Sequence, residues 1–188
     1  MTEEQKHWKL FYDTTRALFV LNDELVSQTI PNWYYQELFY IKLVSFIKEA
    51  INYIEEIKAK FEDNEIMLEW LECVRGGIYT LIDNLSEDEL VYIHYRRTRA
   101  AHMFQSRYEE NPNDQGNAVV RILQKDGTLK SYTNSDVVSS IERIERNYSR
   151  SDILDRDMDK KIFPLLNNLR HNLNKIYNKM GIASKAEE

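Results

Sequence analysis

Cysteine is almost missing from this chain. Cys73 stands alone among 188 residues. A disulfide framework within one chain is therefore excluded, and so is a zinc site built on cysteines. Glycine and proline are scarce too, at five and three. So few turn-formers favour long elements, and helices above all. No apolar run approaches the roughly 20 residues a membrane-crossing helix needs. No charged-then-apolar leader opens the sequence. The expectation is a cytoplasmic protein with no membrane partner. HExxH, cysteine–histidine spacing, a nucleophile elbow and a dinucleotide fingerprint are all absent. No metal site and no cofactor are expected.

What is present reads as a helical bundle. Thr2–Gln5 has the form of a capping box, and apolar residues follow at helical spacing from Trp8 through Phe11, Leu18 and Leu25 to Val26. Pro31 ends that helix. A second is expected from about Asn32 to Phe61, with Ile47, Ile51, Ile54, Ile57 and Phe61 on one stripe. A third carries Met67, Trp70, Leu71, Val74, Ile78, Leu81 and Leu85, with Gly76 and Gly77 inside it. Two adjacent glycines there suggest close helix approach or a kink. Ser86–Glu89 caps a fourth helix. Glu109–Asn117 has loop composition. Two short β-type runs flank Asp126-Gly127, a hairpin turn signal, over about residues 118–133. Thr133–Asp136 caps a fifth helix reaching about Tyr148. The mixed-charge stretch 149–161 reads as a solvated helix or connector. A last helix carries Ile162, Leu165, Leu169, Leu173, Ile176 and Met180, with Pro164 starting or kinking it. Gly181 is its expected stop. The fold class expected is all-α: an up-and-down bundle of long helices with one small inserted β-hairpin, in a single domain over residues 1–188.

Charge is unevenly spread. Residues 1–89 hold 8 Lys/Arg and 18 Asp/Glu, whereas residues 90–188 hold 17 and 13. The acidic first half argues against wrapping a long duplex by electrostatics alone. One stretch of the second half gathers positive charge: HYRRTRAAHMF, His94 to Phe104, has three arginines, two histidines and no acid. On a helix, Leu90, Ile93, Arg97, Ala100, Ala101, Phe104 and Tyr108 form one stripe, with Arg97 in its middle. A guanidinium on a core-facing stripe needs a carboxylate or an anionic ligand. Both remain open on the sequence.

Arg97 to His102, RTRAAH, resembles the R-x4-6-H signature of the HEPN superfamily, whose members are small all-helical bundles. Thr98 supplies the polar residue that often follows the arginine. Arg96 to His102 fits the same signature at a spacing of five. The resemblance implies a metal-independent endoribonuclease that dimerises to join two motifs in one cleft, often as a toxin or phage-defence component with a protein partner or antitoxin. It implies that Arg97 holds the scissile phosphate and that His102 is the general acid/base when a ribose 2′-OH attacks. Arg96, Thr98, Arg99, His94 and Tyr95 are the expected RNA contacts around that pair. The alternative is a non-catalytic helical dimerisation or interaction module, with Arg97 in a structural ion pair.

Overall fold

The computed structural model describes residues 1–28, 33–101, 118–146 and 151–179. Helix α1 spans Glu3–Ser27, α2 Trp33–Lys58, α3 Glu65–Asp83 and α4 Glu87–Ala101. Strands β1 (Ala118–Leu123) and β2 (Leu129–Thr133) follow, then α5 (Asn134–Glu145) and α6 (Ser151–Lys179). This is the all-α bundle with an inserted hairpin. Each cap read from the sequence is formed. Thr2 and Gln5, Ser86 and Glu89, and Thr133 and Asp136 exchange reciprocal side-chain–backbone hydrogen bonds. Two otherwise orphaned N–H groups are satisfied at each helix start.

Four helices close into a ring, with α1 on α2, α2 on α3, α3 on α6 and α6 on α1. Side-chain pairs fix their directions. His7 meets Tyr53, so α1 and α2 run antiparallel. Arg75 pairs with Glu55 and Lys58 with Glu72, so α2 and α3 do as well. Glu69 pairs with Lys179, and Asn22 with Asn167, which sets α6 against both α3 and α1. The result is an up-down-up-down arrangement. Its centre holds Phe11 against Trp70 at 5.0 Å and Phe46 at 6.1 Å, with the Trp70 indole donating to the Tyr177 hydroxyl. Such edge-to-face aromatic contacts add to the burial that drives the core together.

Helix α4 lies outside this ring. It packs along α2, and α5 and β1 pack against it in turn. The hairpin turns at Gly127, whose φ of 81° is the left-handed value glycine adopts freely. It is fastened to the start of α4: Glu87 accepts from Lys130 and Tyr132, and Asp88 from Arg143 of α5. A lone hairpin is marginal in water, and these anchors give it a support.

Of the two forms expected for 149–161, residues 151–161 take the helical one, as the first turns of α6, where Met158 and Ile162 extend the buried stripe of Leu166, Leu169, Leu173 and Ile176. Pro164 sits inside that helix on its exposed side. Lacking an N–H, it leaves one carbonyl a turn earlier without its helical donor. Val26 is 55% exposed rather than on the core stripe, and Phe61 lies beyond the end of α2, edge-on to His7. Pro31, the loop 109–117, the end of the fifth helix at Tyr148, Met180 and Gly181 lie outside the described residues.

Candidate functional site

The face where α4 meets α2 carries the charge anomaly. Arg96 and Arg97, adjacent in sequence, take different environments. Arg96 forms an ion pair with Glu37 of α2 at 2.6 Å, with the two side chains only 12% and 20% exposed. Its guanidinium also lies over the rings of Tyr40 and Tyr92, at 5.7 and 6.0 Å. It is thus held by a carboxylate and two aromatic faces, an arrangement that suits the planar cation. Arg96 is a structural link between α4 and the start of α2. Replacing Glu37 with Gln is expected to cost about 2 kcal/mol, because a partly buried guanidinium loses its counter-charge. Urea unfolding measures this. The double change Arg96→Met/Glu37→Leu should recover most of the loss, and a Glu37→Gln variant as stable as wild type would contradict the reading.

Arg97 has no such partner. It is half-buried, its Nε is shut off from solvent, and that atom meets no hydrogen-bond acceptor. Among the described residues no carboxylate pairs with it. Its charged neighbour is another cation, Lys48 of α2. Lys48 is exposed as a residue, yet its ammonium is hemmed in by protein. That loss of hydration, and then the charge of Arg97, hold its pKa below the usual lysine range. His94, one helical turn before Arg97, is buried at 4% exposure. Burial, then the charges of Lys48 and Arg97, push its pKa down to about 3. At neutral pH the ring is uncharged, so it cannot serve there as a proton donor of imidazolium type.

Lys48, His94 and Arg97 thus lie within electrostatic reach of one another, while Arg96 is engaged with Glu37. Tyr95 is half-buried and packs against the core, tilted against Tyr92 at 6.4 Å. Thr98 and Arg99 lie on α4. His102, the other half of the motif, lies outside the described residues. Lys48 is the residue that sequence reasoning missed. It sits on α2, and its charge is felt at His94 of α4. Chemically, two cations within reach of a neutral imidazole, neither paired with a carboxylate among the described residues, favour an anion. No group of His, Cys, Asp and Glu among the described residues is arranged to hold a metal ion. No described helix is long and apolar enough to cross a membrane. No family model, curated protein or solved structure matches the chain.

Proposed function

We propose that this chain is a HEPN-like protein that binds RNA and cleaves it by 2′-OH attack, acting as a dimer in a toxin or defence role. One observation carries the reading: among the described residues Arg97, taken as the motif arginine, is half-buried with its Nε unpartnered and pairs with no carboxylate. A cation held without a counter-charge is disposed to take one from a ligand, and a phosphodiester supplies it. In this reading Arg97 neutralises the charge that develops on the scissile phosphate. His102 moves the proton, the role the resemblance gives it, and histidine is the side chain whose ordinary pKa lies near neutrality. His94, one turn before Arg97, is held neutral. Arg96 stays with Glu37 and supports α4. The alternative, a non-catalytic helical interaction module, requires Arg97 in a structural ion pair, and the described residues offer it none.

The test is cleavage of end-labelled mixed RNA in excess EDTA by wild type and by the Arg97→Ala and His102→Ala variants. Wild type should cut and leave 2′,3′-cyclic phosphate ends. Each variant should lose roughly 100-fold or more, the usual scale for removing a charge-stabilising or proton-transfer group. A folded, dimeric wild type that cuts none of several RNAs would sink the enzymatic reading.

A further inference from the structure

We infer that the open groove between α1 and α2 is a docking site for an amphipathic helix of a partner protein, one that sets basic residues over Glu49 and Glu56 and an acid over Lys42. The groove has a volume of about 480 Å³. Phe11, Thr15 and Leu18 of α1 and Phe46 and Ala50 of α2 form its floor, and all five are buried. Leu10 stands at its α1 edge, 58% exposed. From Lys42 to Glu56 the α2 edge runs roughly 21 Å, about four helical turns. It lies away from the anion site. Tyr40 carries Arg96 over its ring, and Glu49 follows it by about two and a half turns, so the two stand on opposite sides of α2.

The chemistry of the groove selects its occupant. Three hydroxyls of the lining are already engaged: Thr14 and Thr15 donate to the carbonyls of Leu10 and Phe11, and Tyr53 is bound to His7. They are not open to a polar metabolite, whereas an apolar ridge fits the floor. The rim charges are uncommitted. Lys42, Glu49 and Glu56 are exposed, and among the described residues they form no ion pair. Lys58 and Glu55 of the same helix do pair, with Glu72 and Arg75 of α3. The three rim charges fall seven residues apart, the repeat at which a helix seated along α2 presents the same face. Two acids and one base on that row complement two bases and one acid on the occupant. A second copy of this chain fits less well. Groove against groove sets hollow on hollow. With α2 antiparallel to its copy, Lys42 would meet Glu56, but Glu49 at the midpoint would face itself.

The test uses two labelled synthetic helical peptides of about 21 residues, long enough to span the groove, sharing one leucine stripe. The first carries lysines placed for Glu49 and Glu56 and a glutamate placed for Lys42, at seven-residue spacing. The second has every sign reversed. Fluorescence anisotropy measures both against wild type, Glu49→Lys/Glu56→Lys, Leu10→Asp and a control of equal charge change outside the groove, Glu24→Lys/Glu65→Lys. All five positions are exposed, so circular dichroism should show each variant folded. Wild type and the control should prefer the first peptide roughly tenfold, and Glu49→Lys/Glu56→Lys should reverse the preference. Leu10→Asp should weaken the first peptide roughly tenfold as well, through the lost apolar edge. Failure of folded wild type to bind either peptide would overturn the docking site. Equal binding of both peptides, or a control that behaves like the groove variant, would overturn recognition by the rim charges. Sedimentation supplies the last outcome: a wild-type dimer that Leu10→Asp splits would seat a second copy in the groove and overturn the partner helix.

Discussion

Lowering the pH from about 7.5 to about 5 is expected to destabilise this protein by roughly 2 kcal/mol through His94 alone. Burial first, and then the charges of Lys48 and Arg97, lower its pKa from 6.5 to about 3. Between those values the unfolded chain holds the proton and the folded chain refuses it. The stability that His94 contributes is therefore fully present above about pH 6.5. It is lost as the pH falls through that value toward about 3. In a domain of this size the loss at about pH 5 corresponds to a fall of about 4–8 °C in melting temperature. Replacing His94 with Gln should remove most of the fall in that window, whatever it does to stability at neutral pH. Glu87 and Asp88 are held below the usual range by hydrogen bonds from Lys130 and Arg143, so their contribution is lost only at lower pH. A His94→Gln variant with the same acid sensitivity as wild type would mean that the ring is not buried neutral at all.

His94 also shows where sequence reading reaches its limit. As one of two histidines in a basic stretch it looks like a ligand contact. Only the packing of α4 on α2, with α5 and β1 against α4, reveals that it is enclosed. The elements themselves were largely legible, because each signal is local. Thr2–Gln5, Ser86–Glu89 and Thr133–Asp136 bracket caps within four residues, and Asp126-Gly127 marks a turn within two. The buried stripe of α3 from Met67 to Ile82, with Leu85 just beyond its end, appears in the sequence as it appears in the core. The first turns of α6 misled because Asp157, Asp159, Lys160 and Lys161 swamp Met158. Two of those charges have partners on other helices, Asp159 with Gln36 and Lys161 with Glu89. The site was half legible. Arg97 announces itself by its place on an apolar stripe. Lys48 does not, since a lysine on an amphipathic helix reads as solvated face, and nothing in the sequence links it to a residue 49 positions away. That Arg96 pairs with a carboxylate was likewise closed to sequence, because Glu37 is an ordinary acid until α4 lies across it.

The adjacent glycines of α3 are expected to respond to alanine with opposite signs. A Cβ built on Gly76 meets nothing within 4 Å. Alanine there should stabilise the protein by about 1 kcal/mol, through helix propensity and a less flexible unfolded chain. A Cβ on Gly77 would come within 2.6 Å of Leu169 Cδ1, 2.9 Å of Cδ2 and 3.1 Å of Cγ. Leu169 is 3% exposed, in the contact between α3 and α6, so its whole isobutyl group must move inside a filled core. That overpacking costs about 1–3 kcal/mol. It outweighs the propensity gain, and Gly77→Ala should come out roughly 1 kcal/mol less stable than wild type. Gly77→Val adds two further carbons to the same clash and a β-branched side chain to a helix, so its loss should reach about 3 kcal/mol or more. Urea unfolding of the four proteins measures the series. The mechanism makes one further demand. Leu169→Ala alone should cost about 2–5 kcal/mol by leaving a cavity, but combined with Gly77→Val it should cost far less than the sum, since the valine fills the space the leucine leaves. Strict additivity would show that the two residues do not meet. A Gly77→Ala variant as stabilised as Gly76→Ala would show that α3 and α6 can part without cost, and that the four-helix ring is not closed by this contact.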